Sequence, residues 1–239
     1  MSRVALVSGG TGGIGRALAL ELGRDHDAVA FTYRSSAQKA QSLVAELERG
    51  GTRALALQAD LATVAGAGVV DRVLTTFGRL DSLVNNAGGA SRRLISELGL
   101  PEWEASLRVN LSAAFQLSRD ALPTMLENGA GSIVNLGSPV STRGGIVGVH
   151  YAAAKAGLIG LTVQLSRELR GSGVRVNVLE PAGIDTEFVR TMIDASGGLP
   201  MGQQPHGKPE HVAGAVAFLC SPAATFISGA VLPITGGWA

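Results

Sequence analysis

Arg3-Val4-Ala5-Leu6-Val7-Ser8-Gly9-Gly10-Thr11-Gly12-Gly13-Ile14-Gly15-Arg16-Ala17-Leu18-Ala19-Leu20-Glu21-Leu22 decides the fold. A short apolar run suited to a buried strand enters a glycine-rich turn. It leaves as a segment with helical propensity and an apolar stripe. Strand, glycine turn and helix, in that order, form the setting in which a glycine pattern holds a dinucleotide. Glycine lets the backbone approach a pyrophosphate closely, and the following helix offers free N–H groups and a partial positive charge. Gly9, Thr11, Gly12, Gly13 and Ile14 are therefore the expected phosphate cradle.

The end of the second strand should choose the cofactor. Asp27-Ala28-Val29-Ala30-Phe31-Thr32-Tyr33 reads as that strand, and Arg34-Ser35-Ser36 follows it. Chains that bind NAD place an acid near here for the ribose hydroxyls, whereas an arginine accommodates a 2′-phosphate. No Asp or Glu occurs from Ala28 to Gln41. Arg34 and Ser35 offer a guanidinium and a hydroxyl to a phosphate dianion. The expected cofactor is NADP(H).

Downstream, Tyr151 and Lys155 stand four apart, thirteen positions after Ser138. On a helix, i and i+4 share one face, so a phenol and an ammonium can enter one cleft. The ammonium is expected to lower the phenol's pKa and fit it for proton exchange with an alcohol or ketone.

Outward from these motifs, strand and helix signals alternate along the whole chain. Strands are expected at 54–58, 81–85, 132–136, 174–179 and 230–233, and helices at 37–49, 101–127, 149–170 and 209–220, with a weaker one ending near Phe77. Pro123 is expected to bend or interrupt the helix over 101–127. Alternating apolar strands and helices specify an α/β fold: a parallel, doubly wound sheet of about seven strands covered on both faces. No linker divides the 239 residues, so one domain is expected over 1–239. The segment of about 186–205, after the sixth strand, breaks the alternation where such sheets bind ligands. With Phe188, Met192, Leu199 and Met201 it reads as a substrate lid.

Bulk properties exclude several classes. Hydrophobic residues make up 46% and charged ones 16%, which argues against disorder. Twenty basic and nineteen acidic residues nearly cancel, with no basic run for nucleic acid. A single cysteine, Cys220, excludes an intramolecular disulfide framework. No membrane span, export signal or metal-ligand cluster is read, and the expected setting is cytoplasmic.

Taken together these residues resemble the short-chain dehydrogenase/reductase family, in the branch that includes bacterial β-ketoacyl-ACP reductases. The resemblance spans the chain. It rests on Ser8-Gly9-x3-Gly13-Ile14-Gly15, Asp60-Leu61, Asn85-Asn86-Ala87-Gly88, Asn110, Ser138, Tyr151, Lys155, Arg175-Val176-Asn177, Pro181 with Ile184 and Thr186, and Thr235-Gly236-Gly237. It implies a single-domain Rossmann-type oxidoreductase. Tyr151 would be general acid, Ser138 the donor to the substrate carbonyl and Lys155 the ligand of the nicotinamide ribose. Asn110, at an irregularity in the long helix, would anchor a proton-relay water. Asp60 and Leu61 would meet the adenine; Asn86, Ala87, Gly88, Pro181, Gly183, Ile184 and Thr186 would line the cofactor.

Departures accompany the match: Ser8 where Thr is usual, Ala182 where Gly is usual, and Glu180 where a small or apolar residue is usual. The resemblance implies a ketone or alcohol substrate, foremost a 3-oxoacyl thioester or polyketide-like ketone reduced with NADPH. A sugar-like or steroid-like secondary alcohol run as a dehydrogenase is the alternative, and a non-catalytic NADP(H) sensor a further one. Acyl-carrier-protein docking is left in doubt. Asn128-Gly129-Ala130 and Gly171-Ser172-Gly173 stand where basic residues would receive the carrier, leaving Arg167 and Arg170. Assembly as a homotetramer is implied, with Ala113, Ala114 and the stretch from Ala152 to Ala156 allowing close helix packing and Trp238 near the chain's end.

Overall fold

A computed structural model of the protein describes residues 3–63, 68–195 and 206–237. Leu199, Met201 and Trp238 lie outside the described residues. Strands β1 (Val4–Val7), β2 (Ala28–Tyr33), β3 (Arg53–Gln58), β4 (Ser82–Asn85), β5 (Gly131–Leu136), β6 (Val174–Pro181) and β7 (Val231–Ile234) form one sheet. Its order is β3-β2-β1-β4-β5-β6-β7, and every pairing is parallel. Val7 is opposite both Phe31 and Val84, and Leu136 is opposite Leu179.

Side chains alternate across each strand, so each feeds two cores. Ala5, Val7, Val29, Phe31, Val84 and Leu179 pack under α1 (Gly13–Leu22), α2 (Ala37–Arg49) and α9 (Pro209–Cys220). Val4, Leu6, Ala28, Ala30, Leu83 and Ile133 pack under α3 (Val69–Phe77) and α5 (Ala113–Glu127). The four residues of β1 are all buried, which is why it reads as an unbroken apolar run. Truncating a fully buried side chain such as Phe31 or Leu117 to Ala costs about 3–5 or 2–5 kcal/mol, respectively.

The helix expected over 101–127 is three pieces: α4 (Leu100–Leu107), a π-helical turn at Arg108–Ser112, and α5. Pro123 neither bends α5 to an end nor interrupts it. Pro123 and Arg119, whose carbonyl loses its helical partner, are both exposed, so water can satisfy that oxygen. Two short elements were not expected from sequence: α6 (Val140–Arg143) and a 3₁₀ turn at Pro222–Ala224. In the chain, α6 leads into α7 (Val149–Glu168), α8 (Glu187–Ala195) follows β6, and the 3₁₀ turn follows α9.

One buried polar chain crosses the centre. Asn85 and Asn135 are register partners on β4 and β5. Asn85 Nδ2 donates to Asn135 Oδ1 (2.9 Å) and Ser118 Oγ (3.1 Å), while Asn135 Nδ2 donates to Thr162 Oγ1 (2.9 Å). The chain thereby joins α5 to α7 along one face of the sheet.

Among the described residues no helix is long and apolar enough to cross a membrane, and no cluster of His, Cys, Asp and Glu could hold a metal ion. The chain leaves β1 towards β2 on one side, and β4 lies on the other. The crevice at their carboxyl ends is where sheets of this order bind ligands.

Candidate active site

The glycine turn is fastened from two sides. Ser8 Oγ accepts from the N–H groups of Asn86 (3.0 Å) and Ala87 (2.9 Å). Asn86 Nδ2 donates back to the carbonyls of Ser8 (2.9 Å) and Gly9 (3.1 Å). Asn86 therefore spends its amide holding the loop, and the backbone beside it is what faces the crevice. A Cβ on Gly15 would overlap the Gly9 carbonyl, so glycine is required where helix meets turn. The start of α1 carries no side-chain cap and no acid in its first turn. Its free N–H groups are left for an external anion, which is the fit a pyrophosphate needs.

Across the crevice, Asn110 lies inside the π turn and is 2% exposed. Its Oδ1 accepts from Gly89 N–H (3.0 Å), and its Nδ2 donates to the carbonyls of Gly89 (2.9 Å) and Ser106 (3.0 Å). A Cβ on Gly88 would lie 2.6 Å from Asn110 Oδ1 and 3.4 Å from Lys155 Nζ. Glycine at 88 thus lets the loop after β4 lie against both side chains.

The structure brings Tyr151 and Lys155 together on the first turns of α7. Lys155 is buried, and its Nζ donates to the Leu136 carbonyl (2.7 Å) at the end of β5, two residues before Ser138. The same Nζ stands 5.5 Å from the Tyr151 ring centroid, over the face of the ring. The expected acidification of Tyr151 is not what the protein's own groups produce. Burial pushes the phenol up to about 12 and the Lys155 ammonium down to about 8. The amine bonds the Leu136 carbonyl and lies over the ring face, and desolvation of the phenol sets its pKa. A phenol held that high is protonated at neutral pH. It can still deliver its proton to an alkoxide, a stronger base.

Ser138 is partly buried and precedes α6, where its carbonyl accepts from Ser141 N–H (3.0 Å). Beyond β6, Ala182 N–H donates to Ile234 (3.1 Å), and Ile184 pairs with Gly207 in an isolated parallel bridge. Gly183 takes φ +60°. Thr186 lies against the glycine turn, its Cγ2 3.0 Å from where a Gly13 Cβ would stand, and its Oγ1 accepts from Val189 N–H (3.3 Å) to start α8. Within the described part of the expected lid, Phe188 covers Tyr151, ring centroids 6.1 Å apart, and Met192 is buried.

At the other end of the crevice, Arg34 and Ser35 are exposed, and the Arg34 guanidinium has no acidic partner among the described residues. Asp60 is exposed and folds its carboxylate onto Ala62 N–H (3.0 Å). Leu61 is buried in the second core rather than open to the crevice. The expected cradle residues Thr11, Gly12 and Gly13 open into a hollow of about 360 Å³, whose further walls, Arg16, Lys39, Ser42 and Glu187, sequence reasoning missed. The signal was present in Lys39, one turn into α2 and five residues past Arg34.

The crevice, its anion-ready helix end and the buried Tyr–Lys pair define a dinucleotide-dependent oxidoreductase of the Rossmann type. Comparison agrees: the short chain dehydrogenase family model matches residues 3–196, and the chain belongs to that family. The 3-oxoacyl-[acyl-carrier-protein] reductase FabG of Staphylococcus aureus (strain Mu50) is 35% identical over 241 residues, covering 99% of this chain and 98% of that protein. A short-chain dehydrogenase/reductase from Serratia marcescens superposes with TM-score 0.90 at 36% identity, covering 99% of this chain and 97% of the other. A blue fluorescent protein from a metagenomic library, solved in complex with NADPH, gives 0.89 at 36%, covering 99% and 98%. The protein is thus an oxidoreductase that uses a nicotinamide cofactor.

Proposed function

We propose that this enzyme is an NADPH-dependent carbonyl reductase whose substrate is a ketone, foremost a 3-oxoacyl thioester or a polyketide-like relative. The observation that carries the reading is Lys155 Nζ. It is bound to Leu136 just before Ser138, lies over the ring of Tyr151, and adjoins Gly88. One amine thereby stands between the proton donor, the strand end that leads to Ser138, and the loop at Gly88.

When bound, the cofactor supplies hydride from nicotinamide C4. Ser138 donates a hydrogen bond to the substrate carbonyl, favouring the charge that grows on oxygen. Tyr151 then gives its proton to that oxygen. Lys155 holds ribose hydroxyls, Asn110 fixes the loop and anchors the water that resupplies the proton, and Phe188 helps exclude bulk water. Gly9, Thr11, Gly12, Gly13 and Ile14 take the pyrophosphate, Asp60 the adenine edge, and Pro181 to Thr186 the carboxamide side. Arg34 with Ser35 takes the 2′-phosphate, supported by the free guanidinium and by the NADPH complex of a relative.

The resemblance to reductases named for acyl-carrier protein supports thioester chemistry. Next to Gly171-Ser172-Gly173 in sequence the exposed arginines are Arg167 and Arg170, a thin basic surface that favours a small thioester over a carrier-bound one. Exposed Phe115, Phe218 and Phe226 support self-association, with a homotetramer as the proposed state. Oxidation of a sugar-like or steroid-like alcohol is the same chemistry reversed. Purified protein should oxidise NADPH with acetoacetyl thioesters, as coenzyme A and as carrier-protein conjugates, faster than with a panel of sugar or steroid ketones. The thioester reading fails if the panel ketones are turned over and the thioesters are not.

A further inference from the structure

Glu180 carries a carboxyl group near the end of strand β6, is only 6% exposed, and makes no ion pair among the described residues. A buried carboxyl group without a hydrogen-bond donor is costly, so the donor it does find matters. That bond comes from Ser141, whose Oγ donates to Glu180 Oε1 across 39 residues of sequence. Ser141 lies in α6, the four-residue helix that begins directly after Ser138 and Pro139. None of the residues of α6 is fully buried: Val140 and Ser141 are half-buried, and Thr142 and Arg143 are exposed. Among the described residues, the Ser141–Glu180 bond is the one side-chain hydrogen bond that α6 makes.

The base of this strut is equally well placed. Gly137 N–H donates to Leu179 O (2.6 Å), and a Cβ on Gly137 would stand 3.2 Å from Glu180 Cγ. Glu180 therefore touches the chain on both sides of Ser138: directly at Gly137 and through a hydroxyl at Ser141. The Ser141 N–H in turn donates to the Ser138 carbonyl (3.0 Å).

We propose that Glu180 is a positioning residue, which fixes the hydroxyl of Ser138 by clamping α6 through Ser141. The proposal rests on the carbonyl-binding role given to Ser138 above. In Ser141→Ala and Glu180→Ala, kcat should fall about tenfold, the loss of one buried hydrogen bond, while the NADPH Kd stays within about twofold. The double variant should be no worse than the weaker single one, because both remove one bond. Glu180→Gln keeps an acceptor oxygen and should hold kcat within about threefold, and Ser141→Thr should do likewise. If Glu180→Ala does not fold, the Ser141→Ala and Ser141→Thr pair decides alone.

Wild-type kcat in Ser141→Ala, losses that multiply in the double variant, or an equal loss of NADPH affinity would overturn the proposal. Amide exchange over residues 137–144 gives a readout that needs no substrate. It should quicken in Ser141→Ala, and unchanged exchange would sink the strut even if the wild-type protein reduced no ketone tested. Failure of the reductase reading would instead show as absent turnover in the wild type with the exchange difference intact.

Discussion

Asn110 grips Gly89 by both of its peptide groups, accepting from the N–H at 3.0 Å and donating to the carbonyl at 2.9 Å. A regular helix would give this side chain a different height and direction; the π turn supplies the extra residue that aims it at the crevice. Asn110→Ala should leave the Gly89 groups unmatched, at about 1–3 kcal/mol, and lower kcat at least tenfold. Steady-state kinetics beside thermal unfolding check this, and unchanged kcat would remove Asn110 from the site.

Tyr151→Phe keeps the ring against Phe188 and beneath the Lys155 amine but deletes the proton. Turnover should vanish while NADPH still quenches protein fluorescence with its wild-type midpoint. Residual turnover within tenfold of wild type would mean that another group is the acid.

Arg34→Ala tests the choice of cofactor. The variant should bind NADPH more weakly by about 1.5–3 kcal/mol, the worth of a hydrogen bond to a charged group, with NADH scarcely affected. Titration of both cofactors decides it. An equal loss for the two would assign Arg34 to the general field of the crevice, not to the phosphate.

His26 predicts how the fold responds to acid. It is 4% exposed; one ring nitrogen meets Leu22 O (3.0 Å) and the other Ser82 Oγ (2.9 Å). Burial, aided by the positive charge of Arg3, lowers its pKa from 6.5 to about 4. Between those values the unfolded chain binds the extra proton. Stability is thus complete above about pH 6.5 and declines towards pH 4, by roughly 3 kcal/mol in all. Urea melts at pH 7, 6 and 5 should show the decline, and His26→Asn should flatten it while costing stability at pH 7. An identical slope in the variant would place the acid sensitivity elsewhere.

Much of the fold could be read from residue order because local and tertiary demands coincide in it. Val4–Val7 is buried on both faces, and the glycines after it sit where backbone must pass backbone. The i, i+4 spacing of Tyr151 and Lys155 survived folding, and their helix began at the expected residue, Val149. What was not legible depends on groups distant in sequence. The irregularity at Asn110 was expected from the family resemblance, but nothing in the composition of Arg108–Ser112 gives its π form, which brings Asn110 to Gly89. The raised Tyr151 pKa reflects burial, which spacing alone does not report, and the Lys155 amine turned to a main-chain carbonyl. Leu61 follows a strand as expected, yet its side chain belongs to the core under α3. The Glu180 departure was visible, but its partner Ser141 was not, because α6 is too short to show a period.

The hydrogen-bonded row Ser118–Asn85–Asn135–Thr162 has a consequence for accuracy at a distance. A slip of either strand by one residue would turn its amide to the opposite face of the sheet, so the two strands hold a single alignment. One of the helices bolted to that row continues from the turn bearing Asn110, and the other bears Tyr151 and Lys155. The tolerances of the reaction are therefore machined deep inside the sheet, where no substrate reaches, and the rim loops are free to diversify without disturbing them.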